Sequence, residues 1–276
     1  MEVRYSPDPA HFCRMTTEEI RENFLIESLF KPGLIEMVYY EVDRTIVGSA
    51  VPVSQRLELT SADELRANYF CQRRELGVLN IGRSGTITVD GQKYKMANLD
   101  CLYIGRGSKE ILFTSDDSAN PAQFYLLSYP AHKEYPTSHI QLKQASPVHL
   151  GSVEESSKRT IYKYVHPEGV RSCQLVMGFT VLEPGCVWNT MPPHTHQRRT
   201  EVYMYFNMPE KARVFHFIGK AAETRHIVVA QGQAVISPSW SIHSGVGTSA
   251  YSFCWGMGGE NQDFDDMDHL IVEDIQ

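Results

Sequence analysis

The stretch PHTHQRRTEVYMYF, residues 193–206, reads as a ligand-bearing turn that runs into a β-strand. His194 and His196 are two residues apart, so on extended backbone their imidazoles point to one side. Glu201 follows five residues later and opens an alternating run that puts Tyr203 and Tyr205 on its own side of the strand. Two imidazoles and a carboxylate converging across a bend are donors suited to a small metal ion. The tyrosines are expected to line the same space. Packing with a satisfied hydroxyl is their default role, and proton transfer the alternative.

The flanking sequence is also strand-like. GVLNIGRSGTITVDGQKYKMANLDCLYIG (77–105) and SCQLVMGFTVLEPGCVWN (172–189) set β-branched and aromatic residues between Gly, Asp, Asn and Pro turns. VDGQK (89–93) predicts a type I′ hairpin through Asp90-Gly91. Strands this short and evenly spaced imply an antiparallel sandwich or barrel. They fall into two sets, about 35–128 and 160–258, joined by a polar stretch with three prolines. The expected division is therefore 1–150 and 151–276. Two helices are expected early in the chain. TTEEIRENFLIESLF (16–30) carries a capping box, Thr16 with Glu19, and the pairs Ile20/Phe24 and Leu25/Leu29; SADELRANYFCQRREL (61–76) repeats the device with Ser61 and Glu64.

The totals narrow the function. A chain of 276 residues buries a full core, and its net charge of −7 argues against a nucleic-acid partner. No apolar run is long enough for a transmembrane helix, and the N-terminus lacks the apolar core of a signal peptide, so a cytoplasmic protein is expected. The six cysteines are scattered without a CxxC pair, which predicts reduced, mostly buried thiols.

A fourth ligand lies in AVISPSWSIHSGVGT (234–248), where His243 follows Pro238 by five residues. Gly185, His194, His196, Glu201, Gly232, Pro238 and His243 together resemble the two motifs of the cupin superfamily. Two departures stand out: a long gap from Gly185 to His194, and Met208 at the closing glycine of the first motif. Loop length around a ligand strand is adjustable. The resemblance implies a mainly all-β bicupin, two antiparallel β-barrel or jelly-roll domains with a few short N-terminal helices. The first set of strands has no HxH, so its domain is expected to lack such a site. His11, His132, His139, His149, His166, His216, His226 and His269 have no partner in such a pattern and read as structural or surface residues.

A narrower resemblance rests on KYVHPEGVRSCQLVMGF (163–179), PPHTHQRRTEVYMYF (192–206), SPSWSIHSGVGT (237–248) and WGMGGENQDFDDMDH (255–269), with VRYSPDP (3–9) and GRGSKEILF (105–113). These segments are similar to the 4-deoxy-L-threo-5-hexosulose-uronate ketol-isomerase family. That family implies one Zn²⁺ per subunit on His194, His196, Glu201 and His243, a homohexamer, and a deoxy-keto-uronate substrate from pectin breakdown. The implied reaction moves a proton from C2 to C1 through an enediolate, which a Lewis acid stabilises. Base candidates are Tyr203, Tyr205, Lys163, His166 or a metal-bound hydroxide. Arg171, Arg198 and Arg199 are candidates for the substrate carboxylate. The same ligands suit a cupin dioxygenase, since spacing does not choose the metal. A 5-deoxy-glucuronate isomerase of inositol catabolism would share the chemistry. A sugar sensor would be expected to add a helix-turn-helix module, and a storage cupin a signal peptide.

Overall fold

The computed structural model describes residues 1–260, 262–263 and 266–276. Asn261, Phe264 and Asp265, within the 255–269 segment quoted above, lie outside the described residues. The chain forms two compact units. One comprises Met1–Arg4, Ser28–Ala145 and Tyr164–Val176; the other comprises Tyr5–Glu27, Ser146–Lys163 and Met177–Gln276. Residues 5–27 and 164–176 thus cross a simple division at residue 150.

In the first unit a seven-stranded sheet runs in the order Glu2–Arg4, Ile35–Tyr40, Thr45–Ala50, Phe124–Pro130, Arg74–Asn80, Cys101–Ile104, Ser138–Ile140. A four-stranded sheet runs Leu57–Glu58, Ile111–Ser115, Gly85–Val89, Gln92–Met96. The last two form the expected hairpin, with Asp90 at φ 48° and Gly91 at φ 82°, as a I′ turn requires. Inward positions of the long strands, Leu76, Val78, Leu102, Ile104, Phe124 and Leu126 among them, make an apolar core.

The second unit repeats the plan. Its seven-stranded sheet runs Ser146–Leu150, Arg159–Val165, Val176–Leu182, Ser252–Gly259, Arg199–Phe206, Ala234–Ser237, Leu25–Ile26. The facing sheet runs Trp188–Asn189, Ser244–Gly247, Val214–Lys220, Glu223–Val229. Two such sheets, hydrophobic inside, are the jelly-roll form of β-sandwich. Gly178 is where this sheet needs a glycine. A Cβ there would lie 2.3 Å from the Tyr162 carbonyl and 2.4 Å from the Trp255 ring.

The first expected helix forms over Thr17–Phe24 with its capping box complete: Glu19 N donates to Thr16 Oγ1 (3.2 Å) and Thr16 N to Glu19 Oε2 (2.6 Å). It stops at Phe24, and Leu25–Ile26 becomes an edge strand against Ala234 and Val235. The second expected helix does not form. Only 3₁₀ turns at Asp63–Leu65 and Phe70–Gln72 appear, separated by Arg66 in the left-handed region (φ 46°). Ser61 Oγ turns to the Ala62 carbonyl, and Arg73 Nη2 holds the Leu65 and Arg66 carbonyls at 2.7 and 2.8 Å. Burial decides the outcome, since Arg74–Asn80 is a fully buried central strand. There the Glu75 carboxylate accepts from the Tyr103 hydroxyl and from the amides of Cys173, Gln174 and Leu175. All six cysteines are free; Cys13 is exposed and five are buried, and burial pushes the Cys71 thiol up to about 12.

Candidate metal centre

Four elements of the second unit carry the ligands to one place. His194 lies in a two-residue strand with Thr195, paired to Asp268–His269, and His196 follows in the loop. Glu201 is an inward residue of Arg199–Phe206 in the large sheet. His243 leaves a turn closed by Ser241 N donating to the Pro238 carbonyl (2.9 Å) and enters Ser244–Gly247 of the facing sheet. The ligand atoms of His194, His196, Glu201 and His243 all lie within 4.8 Å of one another.

Four contacts form a closed ring. Nε2 of His194 is 3.1 Å from Nε2 of His196 and 3.0 Å from Nε2 of His243. Glu201 Oε2 is 2.9 Å from His196 Nε2 and 2.8 Å from His243 Nε2. All four donor atoms are therefore within reach of one small cation, and three imidazoles with one carboxylate are donors that suit a borderline divalent metal.

The electrostatics agree with metal binding. Burial, reinforced by the charge of His243, lowers the His194 pKa to about 2, so its imidazole is neutral and its lone pair available. Burial alone would raise Glu201, but charge and hydrogen bonds from His243 and His196 hold its carboxyl well below the usual range. His196 Nδ1 is 2.7 Å from the Asp266 carbonyl; donation there fixes the tautomer that leaves Nε2 for the metal.

Three of the four, His194, His196 and Glu201, line a cavity of about 300 Å³. Its wall is mostly apolar, with Ile161, Phe253, Trp255 and Met257 from the large sheet and Met191 and Pro192 from the ligand loop. Its other polar groups are Thr180, Thr190, Tyr203, His269 and Arg159. Tyr203 reaches it as alternation predicts; its hydroxyl bonds Thr190 Oγ1 (3.0 Å), and burial raises its pKa well above 10. Tyr205, on the same side, bonds instead to His216 Nδ1 at 2.7 Å.

The remaining sequence candidates lie elsewhere. Lys163 shares a strand with Arg159 and Ile161 but is not in the cavity lining. His166 and Arg171 belong to the first unit, where His166 packs against Gly169. Arg198 is exposed beside Glu260 and Asp266. Arg199 is buried, its Nη2 3.3 Å from His196 Nδ1 and 3.4 Å from the Asp266 carbonyl. Arg159, Thr190 and His269 were not singled out by spacing. The only signal for His269 was its place in the 255–269 segment, whose pairing to His194 needs the fold.

Comparison with known proteins agrees over the whole length. A chain from Caldicellulosiruptor bescii named 4-deoxy-L-threo-5-hexosulose-uronate ketol-isomerase is 56% identical over 276 residues, all of both chains. One of the same name from Lachnoclostridium phytofermentans is 57% identical over equal coverage. Among solved structures, an IolB-like protein from Salmonella typhimurium superposes with a TM-score of 0.74 at 12% identity, covering 90% of this chain and 97% of that one. A Bacillus subtilis oxalate decarboxylase gives 0.60 at 11% identity, covering 90% and 79%. These distant neighbours bear on the fold alone, and they support the β jelly-roll form. The KduI/IolB family model matches residues 25–272. The chain is a member of the KduI/IolB family.

Proposed function

We propose that this protein is a zinc-dependent ketol-isomerase that converts 4-deoxy-L-threo-5-hexosulose uronate to 3-deoxy-D-glycero-2,5-hexodiulosonate in polyuronate breakdown. The observation that carries the reading is the four-donor ring, three of whose members line one cavity. Full-length similarity to chains named for this reaction supports it. Zinc on His194, His196, Glu201 and His243 would supply Lewis acidity to the adjacent carbonyl and hydroxyl oxygens of a 2-hydroxyaldehyde.

The chain's own residues do the rest. The apolar wall lowers the local polarity and so strengthens each polar contact. The neutral Tyr203 hydroxyl is a donor for the oxygen on which negative charge builds. The other proton carrier of the lining that is not a ligand is His269, whose ring centroid is 6.0 Å from that of His194. We assign to it the proton taken from C2 and returned at C1. The hydroxyl proton passes from O2 to O1, so aldose and ketose differ by no atom. Arg199 Nη2 and the His196 Nδ1–H both reach the Asp266 carbonyl, the shared acceptor that holds this ligand's ring. A homohexamer in the cytoplasm belongs to this reading; light scattering and cell fractionation check it. A proton NMR time course with the uronate in D₂O tests the reaction. Conversion with deuterium at C1 is expected for an exchanging enediolate; no conversion by metal-loaded protein contradicts the assigned substrate.

A further inference from the structure

The cavity has one cation that is neither a histidine nor already occupied by an acid. Arg159 lines it from the strand Arg159–Val165. Its Nη1 donates to the Ser157 carbonyl at 2.9 Å, one of five donors a guanidinium carries. Among the described residues no carboxylate lies within ion-pair distance of it. Leu150 pairs with it across the strands and Ile161 lies two residues on, while the Glu155 carboxylate acts on it only from beyond ion-pair distance. A half-buried charge in such surroundings is costly unless an anion joins it.

We propose that Arg159 is the carboxylate subsite of this cavity, the group that selects an acidic sugar over a neutral one. The proposal rests on the uronate reading above and adds to it the residue that recognises the acid. In sheet order Arg159 stands three strands from Glu201, about 14 Å across at the usual strand spacing. An arginine side chain and an extended six-carbon acid together bridge that span. The reacting end then lies at the four ligands while the carboxylate meets the guanidinium. The other arginines considered have different surroundings. Arg198 faces Glu260 and Asp266, and Arg199 faces His196 and the Asp266 carbonyl. Fork geometry suits Arg159 to a bidentate contact, which a lysine ammonium reproduces only in charge.

The test is calorimetric binding of D-glucuronate and of its uncharged amide, D-glucuronamide, to the metal-loaded protein and to Arg159→Gln and Arg159→Lys. The parent is expected to bind the acid roughly tenfold tighter than the amide or better, the effect of one or two charge-assisted hydrogen bonds. Arg159→Gln is expected to erase that ratio and Arg159→Lys to keep part of it, with metal content unchanged in both. A parent without preference for the acid overturns the subsite, as does a preference that survives in Arg159→Gln. A parent that prefers the acid through Arg159 yet leaves the deoxy-keto-uronate unconverted upholds the subsite and removes the isomerase reading instead.

Discussion

At the scale of single residues, each ligand has a separable consequence. His243→Ala removes one donor from the ring and is expected to lower metal content well below one per chain and to abolish turnover. The strand after it remains packed, so circular dichroism is expected to be unchanged; undiminished metal would remove His243 from the site. His269→Gln is expected to reduce kcat about 100-fold or more, the usual worth of a positioned base, with metal content intact. A variant with parental kcat would pass the proton to another group. The convergence of His194, His196, Glu201 and His243 was legible in sequence because metal chemistry demands particular residue types at particular spacings. Arg159 was not, since a lone arginine carries no pattern until a sheet turns it toward a cavity. Arg199 was expected at the substrate carboxylate, and its placement beside His196 depends on the loop that carries Asp266.

Elements show where local signals meet tertiary demand. The helix Thr17–Phe24 carries Phe24, whose ring meets those of Phe12 and Trp240 edge-on at 5.8 and 6.5 Å. The strand that follows it pairs with Ala234 and Val235, and Val235 pairs in turn with Tyr203 beside the ligands. Thr16→Ala is expected to cost about 1 kcal/mol of stability, read as a lower thermal midpoint with metal content unchanged. No shift would mean the cap is redundant. Its sequence twin at Ser61 and Glu64 failed because Arg74–Asn80 is required in the sheet, and no residue before it records that requirement. The strand Val214–Lys220 contributes His216, fully buried between Tyr205 and Ser237. Burial first, then the charge of His243, lowers its pKa from 6.5 to about 3. Between those values the unfolded chain binds a proton that the folded one refuses, so stability is lost as pH falls through this window. In metal-free protein, the loss between pH 7 and pH 5 from this group is about 2 kcal/mol. His216→Gln is expected to reduce the pH dependence of urea unfolding by that amount; an unchanged dependence would contradict its burial as a neutral ring.

Across the whole molecule, the repeated order of strands in the two units was legible as two runs of short strands between turns. The exchange of residues 5–27 and 164–176 between units was not. It is a matter of long-range pairing, such as Glu75 with the amides of residues 173–175, that no local period announces. Only one unit brings a four-ligand cluster together among the described residues. At the position in its sheet order that Arg199–Phe206 holds in the second unit, the first unit has a strand with Leu76 and Val78 inward. Metal binding is expected to be linked to folding of the second unit, raising its thermal midpoint as free metal exceeds the dissociation constant. The central claim is that the four-ligand site performs the isomerisation. Its most direct test is the rate of uronate conversion as metal-stripped protein is titrated with zinc. Activity is expected to be absent at first, to rise in proportion to bound metal and to level off at one ion per chain. Full conversion by the stripped protein, or none by the saturated one, would contradict the claim.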